Sequence, residues 1–360
     1  MTRFLCALAL IFSTLFSYAQ EQNKSFTVKY LSNDADIIPD GILEEAIWDS
    51  AESAHDFWEY FPSDSIQAVK QSDIKMLVDD KNLYIGITVY TAGRNYAVES
   101  LKRDFRAGNS DNITLLFDTF NDGNNAFLFG INPYGVRREG LVSGGGLDLR
   151  GFTISWDVKW KGDAKIYDDY YTAEMVIPLT SFKFREGETQ WRLNSYRFDT
   201  QSNETSTWVK IPQNQNIYGL TFMGDMIFEK PLGKSRTPLA VIPYINYLTS
   251  QDFENESSIN DFKFGGDAKV SIGNSMNLDI TINPDFSQVE VDDQVTNLTR
   301  FEIGLPEKRQ FFIDNSDLFS SFGDARDSNP FFSRRIGIAE DIDGNTIENP
   351  IIGGVRLSGK

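Results

Sequence analysis

The 360-residue chain has one histidine, His55, and one cysteine, Cys6. Each scarcity removes a class of chemistry. A nucleophilic triad needs a histidine or an equivalent base, and His55 in Ser53-Ala54-His55-Asp56 reads as a loop residue. The chain has no HExxH, no paired histidines and no set of cysteine ligands, so a transition-metal site is not expected. No segment beyond the first twenty residues approaches about 18 consecutive apolar residues, which argues against a transmembrane helix. Basic residues are also few, 34 against 52 acidic. The formal charge of −18 argues against nucleic acid as a partner.

What is present begins with an export signal. Arg3 supplies a positive start, Phe4 to Phe16 is a short apolar run, and Ser17-Tyr18-Ala19 places small residues before a cleavage site. Residues 1–19 therefore read as a signal peptide, and a mature chain from Gln20 holds no cysteine. An exported protein without disulfides must be held by its core, by a membrane or by a metal. Aromatics make up 13% of the chain, an excess that suits a β core, a sugar-binding surface or the girdle of a membrane barrel.

Strand signals dominate. Leu43, Ala46, Ile47 and Ala51 fall on one face of a predicted short helix after Asp40 or Gly41. Beyond it, Ile74–Val78, Leu83–Tyr90, Ile113–Asp118, Ala126–Asn132, Trp156–Trp160, Tyr171–Ile177 and Trp191–Phe198 read as short strands of an antiparallel β-sandwich. Lys230–Pro238, with its prolines and basic residues, is the best boundary. Ala240–Leu248 follows as a strand, and then a hairpin. Phe262, Phe264, Ala268, Val270 and Ile272 alternate with polar residues, as do Met276, Leu278, Ile280 and Ile282 after Gly273-Asn274-Ser275. A three-residue turn pairs Ile272 with Met276 and Val270 with Leu278, so that like faces like. One apolar and one polar face suits a strand pair crossing a bilayer. It equally suits a half-solvated sheet, and the hairpin by itself favours the latter. The chain stops at Gly353–Lys360, in what reads as mid-strand, so it looks like a fragment.

Two blocks carry a family resemblance. Asp40-Gly41-Ile42-Leu43-Glu44-Glu45-Ala46-Ile47-Trp48, Arg103-Asp104, Asp111-Asn112, Phe117-Asp118-Thr119-Phe120, Trp156-Asp157-Val158-Lys159-Trp160 and Glu174-Met175-Val176-Ile177-Pro178 resemble family 9 carbohydrate-binding modules. Asn283-Pro284-Asp285-Phe286-Ser287-Gln288-Val289-Glu290, running on to Phe331-Phe332-Ser333-Arg334-Arg335-Ile336-Gly337, resembles the domain-of-unknown-function family 5916. The second resemblance implies an outer-membrane barrel after a sugar-module-like domain. The expected organisation is a signal peptide at 1–19, a sandwich at 20–235 and the opening strands of an incomplete membrane β-barrel at 236–360. Asp285–Phe322 would lie in or beside its lumen.

Sugar binding needs an aromatic platform and convergent polar groups. Trp58, Trp156, Trp160 and Trp208 are the candidate platforms, with Arg103, Asn132 and Arg197 as hydrogen-bonding partners. Asp104 and Asp157 are the best carboxylate pair if the protein is a glycoside hydrolase. Their bland reading is an ion pair with a neighbouring arginine and a turn cap. Asp118 and Asp122 offer oxygen ligands to calcium, the one cofactor entertained, although they also suit an ordinary turn. The expected function is glycan binding beside an outer-membrane barrel, on the surface of a Gram-negative-type cell, with glycan and outer-membrane lipid as partners. A structural or transport barrel with the sandwich as plug or docking module is the alternative. A secreted enzyme cleaving O-glycosyl bonds is the second alternative. Exposed aromatics on one face would favour the first reading, and burial of all four tryptophans the docking module.

Overall fold

The computed structural model describes residues 24–31, 37–147, 151–154, 156–233, 239–252, 257–272, 276–284, 307, 309–313, 333–340, 342 and 346–359. The expected signal peptide and nearly all of Asp285–Phe322 lie outside them. The first fourteen strands are β1 (Ser25–Tyr30), β2 (Ser53–Ala54), β3 (Trp58–Phe61), β4 (Ser72–Val78), β5 (Asn82–Tyr90), β6 (Asn112–Asp118) and β7 (Ala126–Ile131), then β8 (Arg137–Val142), β9 (Phe152–Thr153), β10 (Lys161–Ile166), β11 (Tyr170–Pro178), β12 (Gln190–Asp199), β13 (Glu204–Thr207) and β14 (Gly224–Phe228).

They make two layers. One runs β10-β11-β5-β4, with β2 on β4. The other runs β14-β12-β6-β7-β8-β9, with β13 on β12 and β3 on β13. Strand β1 joins them: Ser25–Val28 pairs with β14 and Lys29–Tyr30 with β4, both parallel. Those two pairings depart from the all-antiparallel expectation. Period-two alternation turns Ile85, Ile87, Ala173 and Met175 of one layer toward Leu115, Phe117, Phe129 and Trp191 of the other. This is the sandwich core. Trp191 is fully buried, with the Phe182 and Phe228 rings each 5.0 Å from it.

The predicted helix near Asp40 is instead one 3-10 turn, Ala46–Ser50. Gly41 takes a positive φ of 86°, and a Cβ there would meet the Ala164 backbone at 2.7 Å. The buried Glu174 carboxylate accepts from the Asp40 and Gly41 N–H groups and from Trp48 Nε1. It staples this segment to the outer face of the first layer instead of letting a helix begin. Burial, and then the Glu45 charge, push Glu174 up to about 7. A carboxyl whose folded pKa lies above its unfolded value favours folding fully below the unfolded pKa, and that contribution is lost as pH rises through the folded one. Wild type should therefore lose on the order of 2–3 kcal/mol relative to Glu174→Gln between about pH 4.5 and pH 8. Urea unfolding at both pH values checks this, and parallel pH profiles would refute it.

The remaining strands are β15 (Leu239–Asp252), β16 (Ser257–Ile272), β17 (Met276–Ile282), β18 (Ile338–Glu340), β19 (Thr346–Glu348) and β20 (Gly353–Gly359). Ile272 pairs with Met276, Val270 with Leu278 and Ala268 with Ile280, the register that a three-residue turn demands. The first hairpin strand is longer than its alternation suggested, because Ser257–Asp261 also pairs with β15.

The membrane-barrel expectation is corrected here. The sheet runs β15-β16-β17-β20 and stops, and β18 and β19 pair only with each other. Among the described residues strands β15 and β20 each have one unpaired edge and no sheet closes on itself, whereas a membrane barrel is closed by definition. The outer-membrane location and the lipid partner fall with it. No helix among the described residues is long and apolar enough to cross a membrane. Tyr247, Phe262, Phe264 and Val355 are exposed on the apolar face. The polar face holds the Asp279–Arg356 ion pair at 2.7 Å, and Arg356 also donates to the Phe311 carbonyl.

Candidate functional site

Both candidate constellations are organised by β8, whose alternation sends Arg137, Glu139 and Leu141 inward and Arg138, Gly140 and Val142 outward. Four of the sequence candidates, Arg103, Trp160, Asp157 and Asp104, gather around the inward Glu139. Glu139 has no exposed surface. Its carboxylate accepts from Arg103 through both Nε, at 3.2 Å, and Nη2, and from Trp160 Nε1 at 3.1 Å. Asp157 pairs with the same guanidinium at 3.0 Å. Asp104, at a positive φ of 62°, accepts from the Glu139 N–H. Burial pushes Glu139 up to about 7, with the Asp157 hydrogen bond adding to it and Arg103 opposing it.

This geometry corrects the hydrolase alternative. Glu139 and Asp157 share the Arg103 guanidinium, so both carboxylates are held in ion pairs and not set to flank a glycosidic bond. Asp104 is committed to a backbone amide. No group of three or more histidine, cysteine or acidic side chains among the described residues is arranged to hold a metal ion.

The other candidates lie elsewhere. Asn132 is buried, and its Oδ1 accepts from the Tyr134 and Val136 N–H groups to close a turn. Arg197 forms a buried pair with Asp199 at 2.7 Å. Trp208 is core, edge-on to Phe26 at 5.5 Å. Trp156 and Trp160 are not in a strand, yet both pack on Phe129. Asp118 spends its oxygens on the N–H groups of Phe120, Asp122 and Gly123 in a turn, and Asp122 accepts from Asn124. Of the four candidate platforms, only Trp58 is partly exposed.

Trp58 ends a row the sequence did not disclose. Arg138 pairs with Gly130, Gly130 with Thr114, Thr114 with Tyr196, Tyr196 with Thr207, and Thr207 with Trp58. These six residues form one rung across the outer face of the second layer. Five strand spacings at about 4.8 Å make it roughly 24 Å long. Gly130 lets its neighbours close over it: a Cβ there would lie 2.5 Å from Thr114 Oγ1 and 2.9 Å from Arg138 Cγ. Thr207 Oγ1 is buried without a hydrogen-bond partner. Lys210 Nζ stands 4.9 Å over the Trp58 ring. Above the Arg138 end, Phe152 and Tyr218 stack at 5.2 Å and 10°, both half-buried. Tyr218 also lies edge-on to Tyr196 at 5.5 Å. Burial raises the Tyr196 phenol above its ordinary pKa, so it stays a neutral donor. Arg138, Tyr196, Phe152 and Tyr218 were not singled out from the sequence. The available signal was Arg137-Arg138-Glu139 entering an apolar strand, where alternation must put charge on both faces.

A family model described as Domain of unknown function (DUF5916) matches residues 235–350. No curated protein matches the chain. Among solved structures, the chain is similar to a carbohydrate binding module family 9 from Caldicellulosiruptor kristjanssonii in complex with cellotriose, at 17% identity and a TM-score of 0.41, covering 59% of this chain and 95% of that one. The same organism's module in complex with glucose gives 17% and 0.40, covering 59% and 97%. A Bacteroides uniformis structure gives 13% and 0.45, covering 58% and 100%. Likeness at this level carries no assignment of a site.

Proposed function

We propose that the sandwich, taken as residues 20–235, is a non-catalytic saccharide-binding module. Its site is the outer face of the second layer. The observation that carries this reading is the rung from Trp58 to Arg138. A pyranose ring has an apolar face, which stacks on aromatic rings, and a fan of hydroxyls, which needs fixed donors and acceptors. The rung sets the partly exposed Trp58 at one end and the half-buried Phe152–Tyr218 stack at the other, while Thr114, Tyr196 and Thr207 between them are buried and form the rigid floor beneath. Trp58 is the proposed platform, and Lys210 is the donor beside it.

Presenting the full chain to a glycan array is the direct test. Trp58→Ala should weaken retention of any bound glycan at least about tenfold, equivalent to ~1.4 kcal/mol. Its urea midpoint should stay within the small range of surface substitutions. Retention unmoved by both Trp58→Ala and Tyr218→Ala would refute the site.

A further inference from the structure

We propose that the saccharide bound on this face carries a carboxylate and that Arg138 reads it; the inference rests on the saccharide reading above. Arg138 is 2% exposed. Its guanidinium lies between two rings, 5.7 Å from the Phe105 centroid and 5.6 Å from that of Phe152. Among the described residues its only hydrogen bond runs from Nη1 to the Tyr196 hydroxyl at 3.3 Å, and Nε is buried without a partner. No carboxylate among them forms an ion pair with it. Asp104, the acidic group whose charge it feels, is committed to the Glu139 amide.

A buried cation with no counter-ion is costly unless something neutralises it. The contrast across β8 is direct, because Arg103 on the inner side has two carboxylates. A sugar hydroxyl would satisfy a donor but leave the charge. A carboxylate presents two coplanar oxygens that match the Nε edge of a guanidinium. The flanking rings hold the fork in place, and its Nε edge is buried with no partner among the described residues. Tyr218 touches both of its neighbours, Phe152 and Tyr196. It comes from a segment tied to distant parts of the sandwich, through Leu220 N–H to the Gly145 carbonyl and Tyr60 Oη to the Gln215 carbonyl, and anchored by the buried Ile217 and Leu220. In this proposal the acid reaches the cation by turning the half-buried Tyr218 ring aside. The chain's overall negative charge does not steer an acid toward it, but at about 0.15 M salt the screening length is only ~8 Å and the local cation dominates.

The test is calorimetry of the full chain with glucuronate-, galacturonate- and mannuronate-terminated disaccharides, their methyl esters and their neutral counterparts. At least one acid should bind tenfold or more tighter than its own ester. Arg138→Gln should reduce that ratio below about twofold, and Arg138→Lys should keep part of it. If Arg138→Gln fails to fold, the acid-to-ester ratio of the wild type decides alone, since esterification removes the charge without touching the protein. Equal binding of acid and ester, or retention of neutral glycans only, overturns the carboxylate inference and leaves the saccharide reading intact. No binding here and none on the array overturns both.

Discussion

Replacing Trp208 by alanine should cost about 3–5 kcal/mol of folding stability, the range for deleting a large core aromatic. Trp208 is 2% exposed and meets Phe26 edge-on. Gly224 is shaped to it: a Cβ at that position would lie 2.7 Å from the indole. Its backbone N–H bonds to the Ser195 carbonyl, so the strand is pinned and cannot move in to fill the cavity. The loss is the transfer energy of the ring plus the void it leaves. Trp58→Ala, on the outer rung, should cost under about 1 kcal/mol. Urea titrations followed by far-ultraviolet circular dichroism separate the two. If Trp208→Ala unfolds at the wild-type midpoint, the indole is not the core element the packing makes it.

The two tryptophans show where sequence reasoning stops. Either could be a platform when only the residue type is known, because an indole suits a core and a sugar face equally well. What divides them is the pairing of β13 with β3 and β12, which turns Thr207 and Trp58 outward while Trp208 enters the core. Such pairings join distant segments and leave no local trace. Local periodicity did carry the strands from Ile74 to Val89 and the register of Ile272 on Met276, since each depends on neighbours within one hairpin. It failed at Trp156–Trp160, which has strand-like composition but packs on Phe129 as an irregular segment. It failed again at Asp40–Trp48, where the helical face formed by Leu43 and Ile47 is overruled by a distant residue, Glu174. The barrel expectation failed for a related reason. Alternation is a property of each strand, while closure is a property of a whole sheet, and among the described residues β15 and β20 do not pair.

Removing the Arg103 side chain should destabilise the sandwich by about 2–3 kcal/mol at pH 8. Breaking a buried pair typically costs more, but this guanidinium is about one-third exposed and screened on that side. The origin of the loss is Glu139. With Arg103 gone it keeps one hydrogen bond from Trp160 and loses the cation beside it, while Asp157 remains close. Its carboxyl, already pushed up to about 7, must rise further. Because that folded value lies above the unfolded one, the protonated form is favoured by folding, and stability is lost as pH climbs from about 4.3 through the folded pKa. The deficit of Arg103→Ala should therefore be small at pH 5 and largest at pH 8. Glu139→Gln in the same background should restore most of it at pH 8, giving a coupling energy above the ~0.5 kcal/mol seen for independent sites. Urea midpoints of the four proteins of this cycle at both pH values provide the measurement. A deficit independent of pH, and additive with Glu139→Gln, would show that Arg103 acts through its packing and its bond to the Val158 carbonyl rather than as the counter-ion that lets β8 carry a buried acid.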